Sequence, residues 1–476
     1  MQDRYPRPHT RARFEHLYLL PIGGTAMAPL AGLLREIGHR VEGVDTALYP
    51  PMSTLLAELG IPVRVGYDPA LMPGDADRVI IGNAVPLTNP EVAAVLERGT
   101  PYLSQAEAVA HYVLARGQDS LVVAGTHGKT TTASMLAWIL EITGHDPSFL
   151  IGGMPGWSDR PFRLGSGRQI VIEGDEYNTA FFDRGPKFLH YRPHLFLLGP
   201  VEFDHGDIYR DLDAVLTAFR AGAAQVPRHG AVVVNAFSEG AVAAARDAAA
   251  RIVTVGPGPD CTLQLAPAAL DPERSTAVVR WEGHSHRLEL PLAGAHNLHN
   301  AAMAMAAAAT CGVEPESAVA ALGRFPGVVR RMQLIGEAAG IAVVDDFAHH
   351  PTALAATIAA ARQRWPGRRL VVAFEPRSIT AARRSFQEAY VTALAGADLA
   401  LVAAPYHRDR LEPEQQLDRP ALADELRRRG VDAVVGDDDP VAALAPRLAA
   451  GDVVLGCSSG SFGNFHRRLL EVLEAR

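Results

Sequence analysis

The sequence has few cysteines and no long apolar run, and each shortage excludes a class of protein. Its three cysteines, Cys261, Cys311 and Cys457, are far apart and lack the spacing of a disulfide framework or a zinc site. We expect them to be thiols in a reducing compartment. No stretch reaches the roughly 18 apolar residues that a transmembrane helix needs, and the polar N-terminal segment does not look like a signal peptide. We therefore expect a cytoplasmic protein that does not cross a membrane.

Lysine is also scarce: of the 45 lysine and arginine residues, only Lys129 and Lys187 are lysines. The formal net charge of -8 argues against a protein that coats nucleic acid. A compact ammonium and a planar guanidinium are not interchangeable at a binding site. Lys129 lies within a Gly-Lys-Thr sequence, which points to a phosphate site, although chance retention is the alternative.

Three segments of the chain alternate predicted strands with predicted helices. In the first, a helix ending at Gly38 lies between the first two of these strands: His16–Leu20, Arg40–Val44 and Arg78–Ile81. In the second, a helix follows the first strand and the helix His299–Cys311 closes the segment, with strands at Leu121–Ala124, Gln169–Ile172, His194–Leu198 and Gly230–Asn235. The third has strands at Ile341–Asp345, Arg369–Phe374, Leu399–Ala403 and Asp452–Gly456.

This alternation predicts an α/β protein with mostly parallel sheets. At roughly 100–200 residues per domain, the length allows two to four domains, and the best linkers lie near Gln118 and at Gly323–Gly327. We expect three domains: a Rossmann-like N-terminal domain (1–117), a central P-loop ATPase-type domain (118–327) and a Rossmann-like C-terminal domain (328–476).

The strongest chemical signal is Gly125–Thr131, which joins a buried strand to a helix. Backbone N–H groups and the helix dipole at such a junction attract an anion. Lys129 would reach the β- and γ-phosphates of a nucleotide, and the Thr130 hydroxyl would hold Mg²⁺. The loop is shorter than the common Walker motif, since Val123 stands where a glycine is expected. An ordinary glycine-rich turn is the alternative.

Acidic residues follow two of the predicted central strands. Glu173 heads the sequence Glu-Gly-Asp-Glu after one strand, and Asp204-His205 follows the next. Carboxylates beside a phosphate loop suit Mg²⁺, which prefers a few carboxylates together with phosphate oxygens. His205 is a candidate for a second metal ion. A solvated acidic loop and a structural histidine are the alternatives.

Further polar groups stand at predicted helix and strand ends. Asn297 and Asn300 precede the Ala-rich helix, where they could cap it or offer amide groups to a base. Arg331, at a predicted domain boundary, could act across a cleft on a phosphoryl group, although a plain surface Arg pair is the alternative. Asp346 follows a strand of the third segment, and Arg377 suits a substrate carboxylate.

In this order the motifs resemble those of the Mur ligases, over nearly the whole chain. The elements are Gly125-Thr126-His127-Gly128-Lys129-Thr130-Thr131, Glu173-x-Asp175-Glu176, Asp204-His205, His296-Asn297-x-x-Asn300, Arg331 and Asp346-x-x-His349-His350-Pro351. The resemblance implies an enzyme that uses ATP and Mg²⁺ to form an amide bond on a UDP-muramyl carboxylate through an acyl phosphate. Closure of the C-terminal domain would assemble the site.

The resemblance also implies roles for single residues. Residues implied to bind ATP are Gly125, Thr126, His127, Gly128, Lys129, Thr130, Thr131, His296, Asn297, Asn300, Arg331 and Asp346. Metal ligands would be Thr130, Glu173 and His205. Substrate-binding residues would be Gly23, Gly24, Thr25, Asp45 and Asn83 for the UDP-sugar, and His349, Arg377 and Ser378 for the amine. The residues expected to act in catalysis are Lys129, His205, Arg331, His349 and Arg377.

Several stretches favour one specificity within the family. Tyr49–Thr54, Ile80–Ala84, Glu176–Asp183, Lys187–Tyr191 and Glu375–Ser378 resemble members that join a murein tripeptide, rather than L-alanine, to UDP-N-acetylmuramic acid. The expected partners are thus small molecules, with no nucleic acid or membrane, and the protein would be a monomer or weak homo-oligomer. An L-alanine ligase, an NTPase switch and a non-catalytic sensor of murein fragments are the alternatives.

Overall fold

The computed structural model describes residues 14–406, 411–436 and 439–476. The N-terminal segment used above to argue against a signal peptide lies outside these residues. The described chain forms three large sheets, and each sheet with its helices is one domain. Within the described ranges, no helix combines the length and the apolar character that crossing a membrane requires.

The N-terminal domain has a five-stranded parallel sheet in the order β3-β2-β1-β4-β5. Its strands are β1 (His16–Leu20), β2 (Arg40–Asp45), β3 (Val63–Val65), β4 (Arg78–Ile81) and β5 (Tyr102–Ser104). Its helices are α1 (Met27–Ile37), α2 (Met52–Glu58), α3 (Pro90–Arg98) and α4 (Gln105–Ala108). All five residues of β1 are buried, as expected of the middle strand of a sheet covered on both faces.

The central domain has an eleven-stranded sheet, in which β18 pairs with β17 and the others run β16-β17-β15-β14-β13-β12-β6-β9-β7-β8. The strands of this domain are β6 (Asp119–Ala124), β7 (Ser148–Leu150), β8 (Phe162–Arg163), β9 (Gln169–Glu173), β10 (Asn178–Ala180), β11 (Asp183–Pro186), β12 (Leu195–Leu198), β13 (Ala231–Asn235), β14 (Arg251–Gly256), β15 (Leu263–Leu265), β16 (Ala269–Leu270), β17 (Ser275–Trp281) and β18 (His284–Leu290). β10 and β11 form a separate hairpin. The helices are α5 (Lys129–Ile142), α6 (Leu212–Ala224), α7 (Glu239–Ala245), α8 (Ala295–Thr310) and α9 (Pro315–Leu322).

The C-terminal domain has a six-stranded sheet in the order β19-β20-β24-β21-β22-β23, with only β19 antiparallel to its neighbour. Its strands are β19 (Gln333–Ala338), β20 (Ile341–Asp346), β21 (Leu370–Phe374), β22 (Leu399–Ala403), β23 (Asp432–Gly436) and β24 (Val453–Cys457). Its helices are α10 (Pro351–Arg364), α11 (Gln387–Leu394), α12 (Arg419–Arg428), α13 (Pro440–Leu444) and α14 (Phe465–Glu474).

The predicted α/β class with three mostly parallel sheets is confirmed. The sequence left two roles open for the polar residues before the Ala-rich helix, and the first of them, capping, is wrong. Helix α8 begins at Ala295, inside that segment, and its N-cap is Gly294, which makes no side-chain capping bond. Asn297 instead donates from its side-chain amide to the carbonyl of Ala293, at 2.7 Å. The polar residues are therefore part of the first turns of the helix.

Close packing between α1 and β8 joins the N-terminal and central domains. The ring of Phe162 is 1% exposed, and a Cβ placed on Gly32 would lie 2.1 Å from it. A glycine at this helix position therefore permits a contact that no other residue could make without moving the ring.

We expect Gly32→Ala to lower the stability of the protein by about 1–3 kcal/mol, as overpacking does in a filled core. In an exposed helix the same change would stabilise by about 1 kcal/mol, so the sign of the effect identifies its cause. Gly74→Ala is the matched control, because no atom lies within 4 Å of a Cβ there. Thermal unfolding measures both variants, and a higher melting temperature for Gly32→Ala would contradict the packing argument.

Candidate active site

The loop between β6 and α5 has the geometry of an anion site. Gly125 and Gly128 have left-handed φ angles of 133° and 77°, which favour glycine. A Cβ on Gly128 would lie 2.6 Å from the side-chain oxygen of Asn300, so α8 packs directly on the loop. The Thr126 N–H donates to the carbonyl of Pro200 at 2.7 Å. Helix α5 begins at Lys129, and the N–H groups of its first turn are available to a phosphate.

The two acidic segments meet this loop because β9 and β12 flank β6 in the parallel sheet. Glu173 pairs in register with Val123, and its carboxylate accepts a hydrogen bond from the Thr130 hydroxyl at 2.9 Å. The N–H of Gly152 donates to the other carboxylate oxygen at 2.7 Å. Burial raises the pKa of Glu173, although Lys129 partly opposes that shift. Paired hydroxyl and carboxylate oxygens are donors that suit Mg²⁺.

Glu176 connects the predicted lysine to the predicted histidine. Its Oε1 atom accepts a hydrogen bond from Lys129 Nζ at 2.9 Å and lies 2.9 Å from Nε2 of His205. Burial by itself would lower the pKa of both cations, but nearby carboxylates, Glu176 first, raise both values above the ordinary ones. The carboxylates therefore favour the charged form of each group. The sequence placed Glu176 in an acidic segment, but nothing in its spacing showed which carboxylate would meet the lysine.

The second lysine pairs with the neighbouring acidic residue. Lys187 is 5% exposed, and its Nζ lies 3.0 Å from Oδ2 of Asp175. These two residues flank the β10–β11 hairpin, so the ion pair closes the base of that hairpin. At the tip, Phe182 packs edge-to-face on Tyr102 of the N-terminal domain, with ring centroids 5.1 Å apart. The hairpin therefore links the acidic segment to the N-terminal domain.

The C-terminal domain docks on the loop that follows β12. The Thr352 hydroxyl donates to Glu202 at 2.7 Å, and the Gly206 N–H donates to the Thr380 hydroxyl at 3.0 Å. This docking brings His349 towards the acidic segments: burial lowers the pKa of His349 and the carboxylate of Asp204 opposes that shift. The predicted approach of the C-terminal domain to the phosphate loop is thus present in the structure.

A cavity of about 1210 Å³ lies between the central and C-terminal domains. Among the predicted ATP-binding residues, those that line it are His127, Gly128, Thr131, His296, Asn297, Asn300, Arg331 and Asp346. Arg331 lies 5.0 Å from the ring centre of Phe347, while its neighbour Arg330 pairs with Asp345 at 2.9 Å. Burial raises the pKa of Asp346, and burial lowers that of His296 to about 4.

The wall of the cavity contains an aromatic pair that the sequence analysis did not predict. The rings of His299 and Phe237 stack in parallel, with centroids 4.1 Å apart and planes 12° apart. Both residues line the cavity, and flat rings are natural contacts for a nucleobase. Because the two residues are far apart in the sequence, only the fold reveals the pair.

Other predicted residues lie away from this cavity. Gly23, Gly24 and Thr25 follow β1, Asp45 ends β2 and Asn83 follows β4, so all five are at the carboxyl edge of the N-terminal sheet. The Gly23 N–H donates to the Asp45 carboxylate at 2.8 Å. Such an edge is where open α/β sheets bind ligands.

Arg377 and Ser378 follow β21 at the carboxyl edge of the C-terminal sheet. The guanidinium of Arg377 lies 3.8 Å from the ring centre of Tyr406 and 3.6 Å from the carboxylate of Glu375. The Ser378 hydroxyl accepts a hydrogen bond from the Ala381 N–H at 3.0 Å. Ser378 therefore stabilises a turn, whereas Arg377 has a charge that a substrate carboxylate could share.

Comparison with known proteins finds three successive family models along the chain. The Mur ligase family catalytic domain matches residues 16–116, the Mur ligase middle domain matches 123–308, and the Mur ligase glutamate ligase domain matches 330–460.

Two relatives and one solved structure are among the proteins that match almost the full length. The UDP-N-acetylmuramate–L-alanyl-γ-D-glutamyl-meso-2,6-diaminoheptandioate ligase of Escherichia coli K12 is 39% identical, covering 96% of this chain and 98% of that protein. The UDP-N-acetylmuramate–L-alanine ligase of Kineococcus radiotolerans is 38% identical, covering 98% of both chains. The crystal structure of a murein peptide ligase from Psychrobacter arcticus 273-4 has a TM-score of 0.75 at 32% identity, covering 97% of this chain and 99% of that one.

We expect Lys187→Met to destabilise the protein by about 2 kcal/mol, because it leaves Asp175, whose side chain is only 30% exposed, without its cation. Arg168→Met is the matched control: it breaks the ion pair of a side chain that is 77% exposed and should cost less than about 1 kcal/mol. Urea denaturation followed by tryptophan fluorescence compares the two variants. Equal losses would show that the Lys187 pair is no more important than a surface pair.

Proposed function

The chain belongs to the Mur ligase family, and we propose that it joins UDP-N-acetylmuramic acid to L-alanyl-γ-D-glutamyl-meso-diaminopimelate with the use of ATP and Mg²⁺. The bond formed is an amide between the muramyl carboxylate and the amino group of the peptide. Such a reaction returns a murein fragment to a peptidoglycan precursor, so it belongs to peptidoglycan recycling.

The observation that carries this proposal is 39% identity, over nearly the whole chain, to the E. coli ligase whose name states this tripeptide. The second candidate is an L-alanine ligase, because the Kineococcus relative is almost as similar, at 38% identity. The segment from Glu176 to Tyr191 favours the tripeptide, because its residues resemble those of Mur ligases that add a peptide. An NTPase switch would not need the three matching domains. A non-catalytic sensor would not need to keep Lys129, Thr130, Glu173 and His205.

We place the triphosphate on Gly125–Thr131, with the base towards the stacked pair Phe237 and His299. Thr130 and Glu173 would hold Mg²⁺, because they offer oxygen donors that already lie 2.9 Å apart, and His205 would contact a second ion. When bound, the metal neutralises charge on the transferring phosphoryl group. Lys129 supplies a further fixed positive charge. Its ammonium, which contacts Glu176, would have to contact the incoming phosphate as well.

In the proposed reaction the muramyl carboxylate oxygen attacks the γ-phosphorus, which releases ADP and forms an acyl phosphate. The peptide amine then attacks the acyl carbon, loses a proton, and expels inorganic phosphate. The side chains act mainly by positioning and charge stabilisation. Lys129 stabilises charge from the loop side of the cavity, while Arg331 acts from the C-terminal domain.

The two substrates are assigned to the outer domains. The UDP-sugar would bind at the carboxyl edge of the N-terminal sheet, and His349, Arg377 and Ser378 would receive the peptide. We propose the domain limits 1–117, 118–327 and 328–476 for this division of labour. The carboxylates of the peptide would share the charge of Arg377.

A competition assay tests the substrate directly. Purified protein is given UDP-N-acetylmuramic acid, ATP and Mg²⁺, with L-alanine and the tripeptide in equal amounts, and products are identified by mass spectrometry. We expect UDP-muramyl-tripeptide as the main product. UDP-muramyl-alanine would establish the second candidate instead, and the absence of any product despite ATP binding would favour a switch or sensor.

We expect Lys129→Ala to lower kcat/KM by at least about 10³-fold, because the loop loses its fixed charge on the transferring group. Binding of UDP-N-acetylmuramic acid, measured by calorimetry, should be unchanged since that site lies on another domain. Lys129→Arg tests whether a compact ammonium is required and should recover little activity. Wild-type turnover in Lys129→Ala would remove the loop from the reaction.

A further inference from the structure

A cluster of two histidines and one carboxylate spans the boundary between the central and C-terminal domains. His127 comes from the phosphate loop, Glu202 from the loop after β12, and His350 from the N-cap of α10. One potential ligand atom of each residue lies within 4.8 Å of the other two. The rings of His127 and His350 are 4.5 Å apart. The cluster exists only because the two domains are docked.

The spacing of the donor atoms suits a small divalent cation. Nε2 of His127 is 3.3 Å from Oε2 of Glu202, and Nδ1 of His350 is 3.7 Å from the same oxygen. Two ligands that each lie about 2.0–2.1 Å from a tetrahedral zinc ion are about 3.3–3.4 Å apart. A shift of a few tenths of an ångström would therefore bring these donors into coordination distance.

His350 is buried, yet the described residues make little use of its ring. Nε2 has no hydrogen-bond partner among them, and Nδ1 accepts only a long hydrogen bond of 3.4 Å from the Thr352 N–H. The Thr352 hydroxyl donates to Glu202 at 2.7 Å, as an outer-shell group orients a ligating carboxylate. Nδ1, the ring atom nearest to Glu202, is therefore available to a cation in exchange for one weak hydrogen bond.

We propose that His127, Glu202 and His350 form a separate cation site, selective for a borderline transition metal such as Zn²⁺ or Co²⁺. Two imidazoles and one carboxylate favour these ions over Mg²⁺, which prefers an all-oxygen shell. The ion ties the phosphate loop to α10 and so holds the C-terminal domain in its docked position. This site goes beyond the proposed function, since it shares no ligand with Thr130, Glu173 or His205.

The test is a titration of the full-length protein with Co²⁺ alone, in the absence of nucleotide, followed by the visible absorption of the bound ion. We expect one equivalent bound with a tetrahedral spectrum, displaced by Zn²⁺. Loss of a group that only orients a metal ligand weakens metal binding about 10–100-fold. Glu202→Gln and His350→Ala each remove a ligand, so each should weaken binding by more than this. Thr352→Val, which removes only the outer-shell hydroxyl, should weaken it within that range.

Two controls make the result decisive. The double variant His284→Ala/His286→Ala removes two histidines from β18, and His205→Ala removes the histidine of the proposed magnesium site; neither should change Co²⁺ affinity. Unchanged affinity in both Glu202→Gln and His350→Ala overturns the proposal, as does loss of binding only in His205→Ala. Melting temperatures of the metal-free variants identify any that fail to fold, in which case Thr352→Val decides. Failure of this site would leave the proposed ligase activity intact.

Discussion

The balance of buried charge around Glu176 is the constraint on which the rest of the site depends. Removing an ammonium or a carboxylate from water costs several kcal/mol per ion, and only close pairing offsets that cost. Lys129, Glu176 and His205 satisfy this requirement with contacts of 2.9 Å. The three residues come from helix α5 and from the loops after β9 and β12, so these elements must converge at one edge of the sheet.

The same balance explains why the chain retains its two lysines. Both pair with adjacent carboxylates, Lys129 with Glu176 and Lys187 with Asp175. The side chain of Lys187 is buried, and that of Lys129 is 15% exposed. A guanidinium has five donors in a rigid plane, whereas an ammonium has three donors on a compact head. At Lys129 those three donors meet Glu176 and the carbonyls of Gly125 and Thr126, so an ammonium suits this confined position better than a guanidinium.

Much of the fold could be predicted from the sequence, because buried parallel strands are continuous apolar runs bounded by turn residues. β1 and β22 have the predicted bounds. The start of α8 was misplaced because the polar residues at its N-terminus face the phosphate loop rather than solvent, as Asn300 shows against Gly128. The strands β15 to β18 were missed, although the seven-residue strand β17 alternates buried and more exposed residues, as a half-buried strand does.

The site was only partly predictable for a related physical reason. Motifs at strand ends identified Lys129 and Glu173, because the carboxyl ends of neighbouring parallel strands must meet at one edge. Glu176, Phe237 and Glu202 depend instead on which side chains face each other across loops of the folded chain, and sequence spacing does not determine that. Charge pairing and ring stacking over long sequence separations are properties of the tertiary structure.

Hydrogen bonds between the central and C-terminal domains lie at two separate places. Among the described residues, one set joins Glu202 to Thr352 and Gly206 to both Thr380 and Arg383. A second set joins Gln363 to Gly294, Asp271, Arg274 and Ser275. At about 0.5–1.5 kcal/mol each, the first set contributes a few kcal/mol, so a ligand that contacts both sides of the cavity can shift the docking at that place. Glu202 also contacts His127 of the phosphate loop. The same carboxylate therefore contacts both the phosphate loop and the C-terminal domain, so a change in one can alter the position of the other.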